Sequence, residues 1–286
     1  MRPAAAAMKA LLAKPGLQIM PGCGDGLGAR LIAEAGFGTG VVSGSNVSAL
    51  RLAQPDMDLL SFTEMLDAVQ LCADAAPEVC WLADGDTGYG SPINCRRTIK
   101  AYARAGAAAV LIEDKALPRP LGKQGAKLVV ERDEALQRLK AAIEVAHEEG
   151  ILILARTDAR VSRGFPEALA RLEEFVAMGA DLLFLDSPQS EAEMVAGIAA
   201  CKGKPSLSVT VQSAKFFMPD DATLERLGIK IAVYPQAMLA ASIHAMRGAL
   251  GAIKGGPAQP MGTAADLGTA IRMADYLALD ARLAKG

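Results

Sequence analysis

The residues best suited to chemistry are acids that fall just after short apolar runs. In "LADGDTGYG" (82–90) one such run ends with Asp84 and Asp86, separated by Gly85. Side chains two apart in an extended chain point the same way, so both carboxylates can address one spot, with the glycine leaving room between them. Glu113 and Asp114 close another run, Asp158 follows a third, and Asp186 closes a fourth. Carboxylates gathered in one cleft repel and raise one another's pKa unless a cation joins them. A hard divalent ion, Mg²⁺ or Mn²⁺, suits an oxygen-only group with no His or Cys beside it. Each acid taken singly also reads as a helix cap or as the partner of Arg96, Arg97 or Arg156. A repeated placement at successive strand ends favours the metal.

Three further stretches belong with these acids. "SGSN" at Ser43, Gly44, Ser45 and Asn46 places two hydroxyls and free backbone N–H groups after a strand, a cradle for a carboxylate or phosphate or, equally, an ordinary helix cap. "ARTDAR" carries Arg156, whose planar fork suits bidentate recognition of an anionic substrate and which could also neutralise Glu113. The polar stretch from Lys115 to Lys127, with Leu121 and Lys123 in it, reads as a lid closing over an anionic ligand or as a solvated loop.

The elements that must position these residues alternate along the chain. Apolar runs at 17–20, 40–43, 79–83, 109–113, 151–155, 182–186, 206–210 and 231–234 are expected as strands, and longer helical patterns lie between them. The runs are continuously apolar rather than alternating, as in parallel strands covered on both faces. Eight such units predict a closed (β/α)8 TIM barrel spanning 1–286 as a single domain, with a helical tail from about residue 261. In a parallel barrel the strand C-termini converge on one face, which gathers the acids. The rival is an open doubly wound sheet, supported by Gly24, Gly26 and Ala29 at dinucleotide-binding spacing. That reading also wants an acid after the second strand, and the chain has "VVSGSN" there.

Composition removes other classes. The formal charge is −2, with four Tyr, one Trp and two His, which argues against a nucleic-acid surface. No run approaches the length of a membrane span; the N-terminus reads as a short amphipathic helix ended by Pro15 rather than a signal peptide. Five scattered cysteines show neither a disulfide frame nor a zinc motif, which fits a reducing cytoplasm.

In "MPGCGD", "VVSGSNVSAL", "PDMDLLSFTEM", "ADGDTGYG", "NCRRTIKAYARAGAAAVLIEDK", "ARTDAR" and "VYP" the chain resembles the isocitrate lyase and phosphoenolpyruvate mutase superfamily. The resemblance implies a (β/α)8 barrel, often with its last helix exchanged between subunits of a dimer of dimers, and bound Mg²⁺. It implies that Ser43, Gly44 and Ser45 hold a substrate carboxylate and that Asp56 lies near the reacting end. Asp84 would ligate Mg²⁺, with Asp86 and Glu113 binding it through water, and Arg156 would bind substrate. The chemistry implied is cleavage of C–C or P–C bonds in small α-oxyacids.

Departures from the pattern narrow the reaction. Lyases of the group carry a lid motif "KRCGH" whose thiol transfers a proton; here the stretch reads "RPLGK", with Leu121 in the thiol's place. The glutamate common after strand six is Asp186, expected to bind substrate, and the asparagine common on strand seven is missing from "SLSVTVQS". The chain is most similar to the oxaloacetate decarboxylase-like branch, which lacks the thiol. The first expectation is therefore a Mg²⁺-dependent decarboxylase of an α-keto dicarboxylate such as oxaloacetate. The alternatives are a C–C lyase of a methylisocitrate- or dimethylmalate-like 2-hydroxy acid, with Lys123 or Asp186 replacing the thiol, a P–C bond enzyme, and a carboxylate-binding barrel without catalysis.

Overall fold

The computed structural model describes residues 1–118, 127–211, 216–258 and 262–284. The chain opens with α1 (Pro3–Ala13) and then alternates: β1 (Gln18–Cys23), α2 (Gly26–Glu34), β2 (Thr39–Val42), α3 (Gly44–Leu52), α4 (Phe62–Ala75), β3 (Cys80–Asp84), α5 (Pro92–Arg104), β4 (Ala109–Glu113) and α6 (Arg132–Glu149). Next come β5 (Leu152–Thr157), α7 (Ala159–Ser162), α8 (Phe165–Ala177), β6 (Leu182–Leu185), α9 (Glu191–Ala200), β7 (Leu207–Val209), α10 (Asp221–Leu227) and β8 (Ile231–Tyr234). Three helices finish the described chain: α11 (Ala237–Ile253), α12 (Ala264–Ala270) and α13 (Met273–Leu283). The eight strands overlap the eight expected runs, with ends shifted by up to three residues.

All strand pairs are parallel, in the order β6-β5-β4-β3-β2-β1-β8-β7. A bridge from Leu183 to Ser206 brings the two edge strands together, so the sheet is a nearly closed (β/α)8 TIM barrel. The open-sheet alternative falls with this order, because β1 lies between β2 and β8 with no reversal of strand order to form a nucleotide crevice. Gly24, Gly26 and Ala29 instead seat the end of β1 against α3 and start α2, whose N-cap Asp25 accepts from Gly28 N.

Side chains along each strand alternate between two buried layers. Met20, Val41, Cys80, Leu82, Leu111, Leu152, Leu154, Leu182 and Phe184 fill the barrel interior together with Ala5, Met8 and Leu12 of α1, which closes the end where the strands begin. Trp81, Ala83, Val110, Ile112, Ile153, Ala155 and Leu183 face outward and pack against the surrounding helices. Burying each large side chain of this kind stabilises the fold by roughly 1.5–3 kcal/mol. Both faces are apolar, hence the unbroken hydrophobic runs.

The C-terminal helices differ from the rest: α11, α12 and α13 have no buried residue. They expose Leu250, Ile253, Tyr276, Leu277 and Leu283, each more than 60% accessible. Among the described residues no helix is long and apolar enough to cross a membrane. All five cysteines are free and buried.

Candidate active site

The inward rows of the barrel continue past their apolar residues into polar ones. Cys80 and Leu82 of β3 are followed at the next inward position by Asp84; Leu111 of β4 by Glu113; Leu154 of β5 by Arg156; and Phe184 of β6 by Asp186. Val41 of β2 is followed in the same way by Ser43. The period of two in a strand thus brings side chains of one face to the mouth from five different strands.

Asp84 accepts from Gly44 N at 3.1 Å and from Asp86 N at 3.2 Å. Burial, then the charges of Glu113 and Asp56, push its carboxyl above the usual carboxylate range despite those two hydrogen bonds. Asp86 is pushed well above that range by burial, Asp84 and Glu113, and Lys115 offsets part of the effect. Asp86 accepts from Tyr89 Oη at 3.1 Å. Glu113 lies 2.5 Å from Lys115 Nζ and 3.3 Å from Arg156 Nε, and its side chain is only 2% exposed. Its Oε1 atom has no well-aligned hydrogen-bond donor.

The convergence of Asp84 and Asp86 does not arise as expected. β3 ends at Asp84, and Asp86 has φ +46°, so a turn rather than the pleat brings the second carboxylate back beside the first. Gly85 serves a neighbouring strand: its N–H donates to Leu111 O at 3.0 Å, and a Cβ there would stand 2.7 Å from that oxygen. Gly88, at φ +88°, carries the turn past Cys95, where a Cβ would come within 2.6 Å of the cysteine Cβ.

Arg156 faces the acids. It holds Asp158 with two 2.8 Å hydrogen bonds and lies 3.4 Å from Asp186. Burial would raise the Asp158 pKa, but the Arg156 guanidinium and Lys127 lower it to about 2. Burial and Asp158 raise Asp186, against Arg156 and Lys127. Lys127 pairs with Asp186 and donates to Ser187 Oγ at 3.1 Å. Ser43 is the N-cap residue of α3, yet its hydroxyl makes no cap bond and instead lies 2.9 Å from Ser45 Oγ. Asp56 stands on the exposed segment between α3 and α4, close enough for its charge to act on Asp84 and Asp86. Lys123 and Leu121 lie outside the described residues.

Two strand-end acids leave the group. Asp114 is one residue beyond Glu113 and therefore points outward, where it accepts from Thr157 Oγ1 at 2.7 Å, Asp158 N at 2.9 Å and Arg171 Nη1 at 3.0 Å. Asp158 belongs to Arg156. Arg96 and Arg97 partner neither: Arg96 pairs with Glu144 and Glu148, and Arg97 stacks over Phe62 at 4.2 Å. The sequence reading missed Lys115, Lys127, Tyr89 and Ser187 as members of the site. A count of inward and outward positions would have separated Asp114 from Glu113, whereas Lys115 and Lys127 lie outside the strands and carry no strand signal.

Among the described residues no three His, Cys, Asp or Glu side chains are close enough to ligate one ion directly. The donors nevertheless fit a hard cation: Asp84, Asp86 and Glu113 offer only oxygens, and burial together with neighbouring negative charge raises the carboxyls of Asp84 and Asp86. Water would then complete the coordination.

Residues 8–254 match the family described as phosphoenolpyruvate phosphomutase. The 2,3-dimethylmalate lyase of Eubacterium barkeri is 35% identical over 242 residues, covering 85% of this chain and 83% of that protein. An oxaloacetate decarboxylase of Paraburkholderia xenovorans is 39% identical over 170 residues, 59% of this chain and 56% of that one. The solved structure of oxaloacetate acetylhydrolase with 3,3-difluorooxalacetate has a TM-score of 0.92 at 31% identity, covering 98% of this chain and 97% of that one. With the barrel, the strand-end acids and these likenesses together, the chain belongs to the phosphoenolpyruvate mutase family of the isocitrate lyase/phosphoenolpyruvate mutase superfamily, whose related members include carbon–carbon lyases.

Proposed function

We propose that the protein is a divalent-cation-dependent carboxy-lyase that converts a small α-keto dicarboxylate, oxaloacetate or a near relative, to the α-keto monoacid and CO₂. The observation that carries this reading is a mouth with acids on one side and fixed cations on the other, and no thiol. All five cysteines are buried, and burial raises the Cys95 and Cys201 thiols to about 12. A C–C lyase needs an acid or base at the departing fragment, whereas CO₂ departs without one.

Asp84, with Asp86 and Glu113 through water, would hold Mg²⁺, which supplies a Lewis acid toward the electron pair released as CO₂ departs. Ser43 and Ser45 donate to the carboxylate beside the keto group, and Arg156 opposes the substrate's negative charge while Asp158 fixes its guanidinium. Phe184 lies beneath Arg156, 5.1 Å from guanidinium carbon to ring centroid, and limits its swing. As the C3–C4 bond breaks, its electrons pass to the keto oxygen; C3 then takes a proton from solvent. Proton NMR of oxaloacetate with Mg²⁺, with and without the protein, tests the reading: pyruvate formation above the metal's background is expected, and an unchanged rate ends it.

A second reading, cleavage of a substituted malate, is favoured by the likeness to dimethylmalate lyase over most of the chain and by the Lys127 ammonium beside Asp186, a proton-transfer group in the thiol's stead. Keto-acid products from a panel of 2-hydroxy acids would replace the first reading with this one. The apolar exposed faces of α11 and α13 further support a homo-oligomer in which a second copy covers them, measured as mass by light scattering.

A further inference from the structure

Lys115 follows Glu113 by two residues and sends its ammonium into the acid group. Nζ lies 2.5 Å from Glu113 Oε1 and 3.8 Å from both Asp86 Oδ1 and Asp58 Oδ1, and the side chain is 11% exposed. Its backbone is pinned. Lys115 forms an antiparallel bridge with Val129, Ala116 N donates to Leu128 O at 2.8 Å, and Arg138 Nη1 donates to Lys115 O at 3.3 Å. Asp58, on the segment before α4, is held at φ +62°. The ammonium therefore has three carboxylates within reach and little freedom to leave them.

Two of those three, Glu113 and Asp86, are acids assigned above to the divalent ion. A fixed positive charge among a cation's ligands opposes that cation, and its effect is strongest where water is scarce. We propose that Lys115 is a positioning residue acting as the resident counter-ion of the acid group: it shares Glu113 and Asp86 with the divalent ion, holds the ion's affinity down, and is drawn toward Asp58 when the ion binds. This rests on the acids holding a cation and is independent of which bond the enzyme breaks. Asp58 therefore tunes the ion through Lys115.

The experiment is a titration of the full chain with Mn²⁺ alone, following the free ion by electron paramagnetic resonance. Lys115→Met is expected to bind Mn²⁺ at least about tenfold more tightly than wild type, and Lys115→Arg, which keeps the charge, to stay within about threefold. Asp58→Asn is expected to weaken binding about threefold in wild type and to have no effect in Lys115→Met, because the two act as one unit. Equal or weaker binding by Lys115→Met overturns the proposal, as does an Asp58→Asn effect of the same size in both backgrounds. Should Lys115→Met fail to fold by circular dichroism, Lys115→Gln takes its place in the same cycle, and an Asp58→Asn effect unchanged by that substitution overturns the proposal. Wild type that binds no Mn²⁺ removes the cation reading itself, a different outcome from binding that ignores Lys115.

Discussion

Glu113 and Asp114 are adjacent at the end of β4 and stand in different layers of the barrel. Glu113 continues the inward row of Ala109 and Leu111 and meets Lys115, Arg156 and the acids of β3. Asp114 enters the layer between barrel and helices, where Arg171 of α8, itself 1% exposed, and two donors from the end of β5 satisfy it. Outside, the acid is fully hydrogen-bonded and serves as a brace. Inside, Asp84 and Asp86 repel each other and Glu113, and burial makes the repulsion worse. Lys115 and Arg156 offset only part of that repulsion, and the proposed divalent ion would offset more of it.

That contrast can be broken at several points. The largest effect is expected from Asp84→Asn, which should lower cation-dependent turnover about 10³-fold while leaving the circular dichroism spectrum and thermal midpoint near wild type. Activity within tenfold of wild type would refute the inward role. Asp114→Ala should do the reverse: it takes one of two carboxylates from the buried Arg171 guanidinium, Glu167 remaining at 2.8 Å, and costs about 2 kcal/mol in urea unfolding.

Acid pH separates the paired carboxylate from the repelled ones. The folded-state pKa of Asp158, about 2, lies below the ordinary 3.8. Asp158 therefore stabilises the fold above the unfolded value, by about 2 kcal/mol at neutral pH, and that contribution is lost as pH falls from about 4 through 2. The stability gap between wild type and Asp158→Asn should accordingly shrink toward acid; a gap independent of pH would contradict the pairing. For Asp84 and Asp86 the sign is opposite, and Mn²⁺ affinity should fall as pH drops while still above the usual carboxylate range. Smaller effects complete the series. Arg156→Lys, which loses the fork held by Asp158, should raise KM for oxaloacetate about tenfold with less change in kcat. Tyr89→Phe, which removes one hydrogen bond to Asp86, should change Mn²⁺ affinity only about twofold to threefold.

Much of this was legible in the chain. Eight continuously apolar runs alternating with helical patterns can be buried only as parallel strands under helices, and a carboxylate at a strand end announces itself by interrupting an apolar run. Ser43, Asp84, Glu113, Arg156 and Asp186 could therefore be named before any coordinate. Lys115 could not be given a role that way, because a lysine after a strand looks the same whether it bathes in solvent or sits among three acids.

What the sequence by itself determined is the architecture and the donor types, because both follow from local periodicity and from where charge interrupts it. Only the tertiary structure decided which charges meet. The turn at Asp86 reversed a carboxylate that the pleat would have placed, the outward step at Asp114 withdrew another, and α8 supplied Arg171 from 57 residues along the chain. Pairing of charges depends on distances of a few ångströms between segments remote in sequence, and closing the barrel sets those distances.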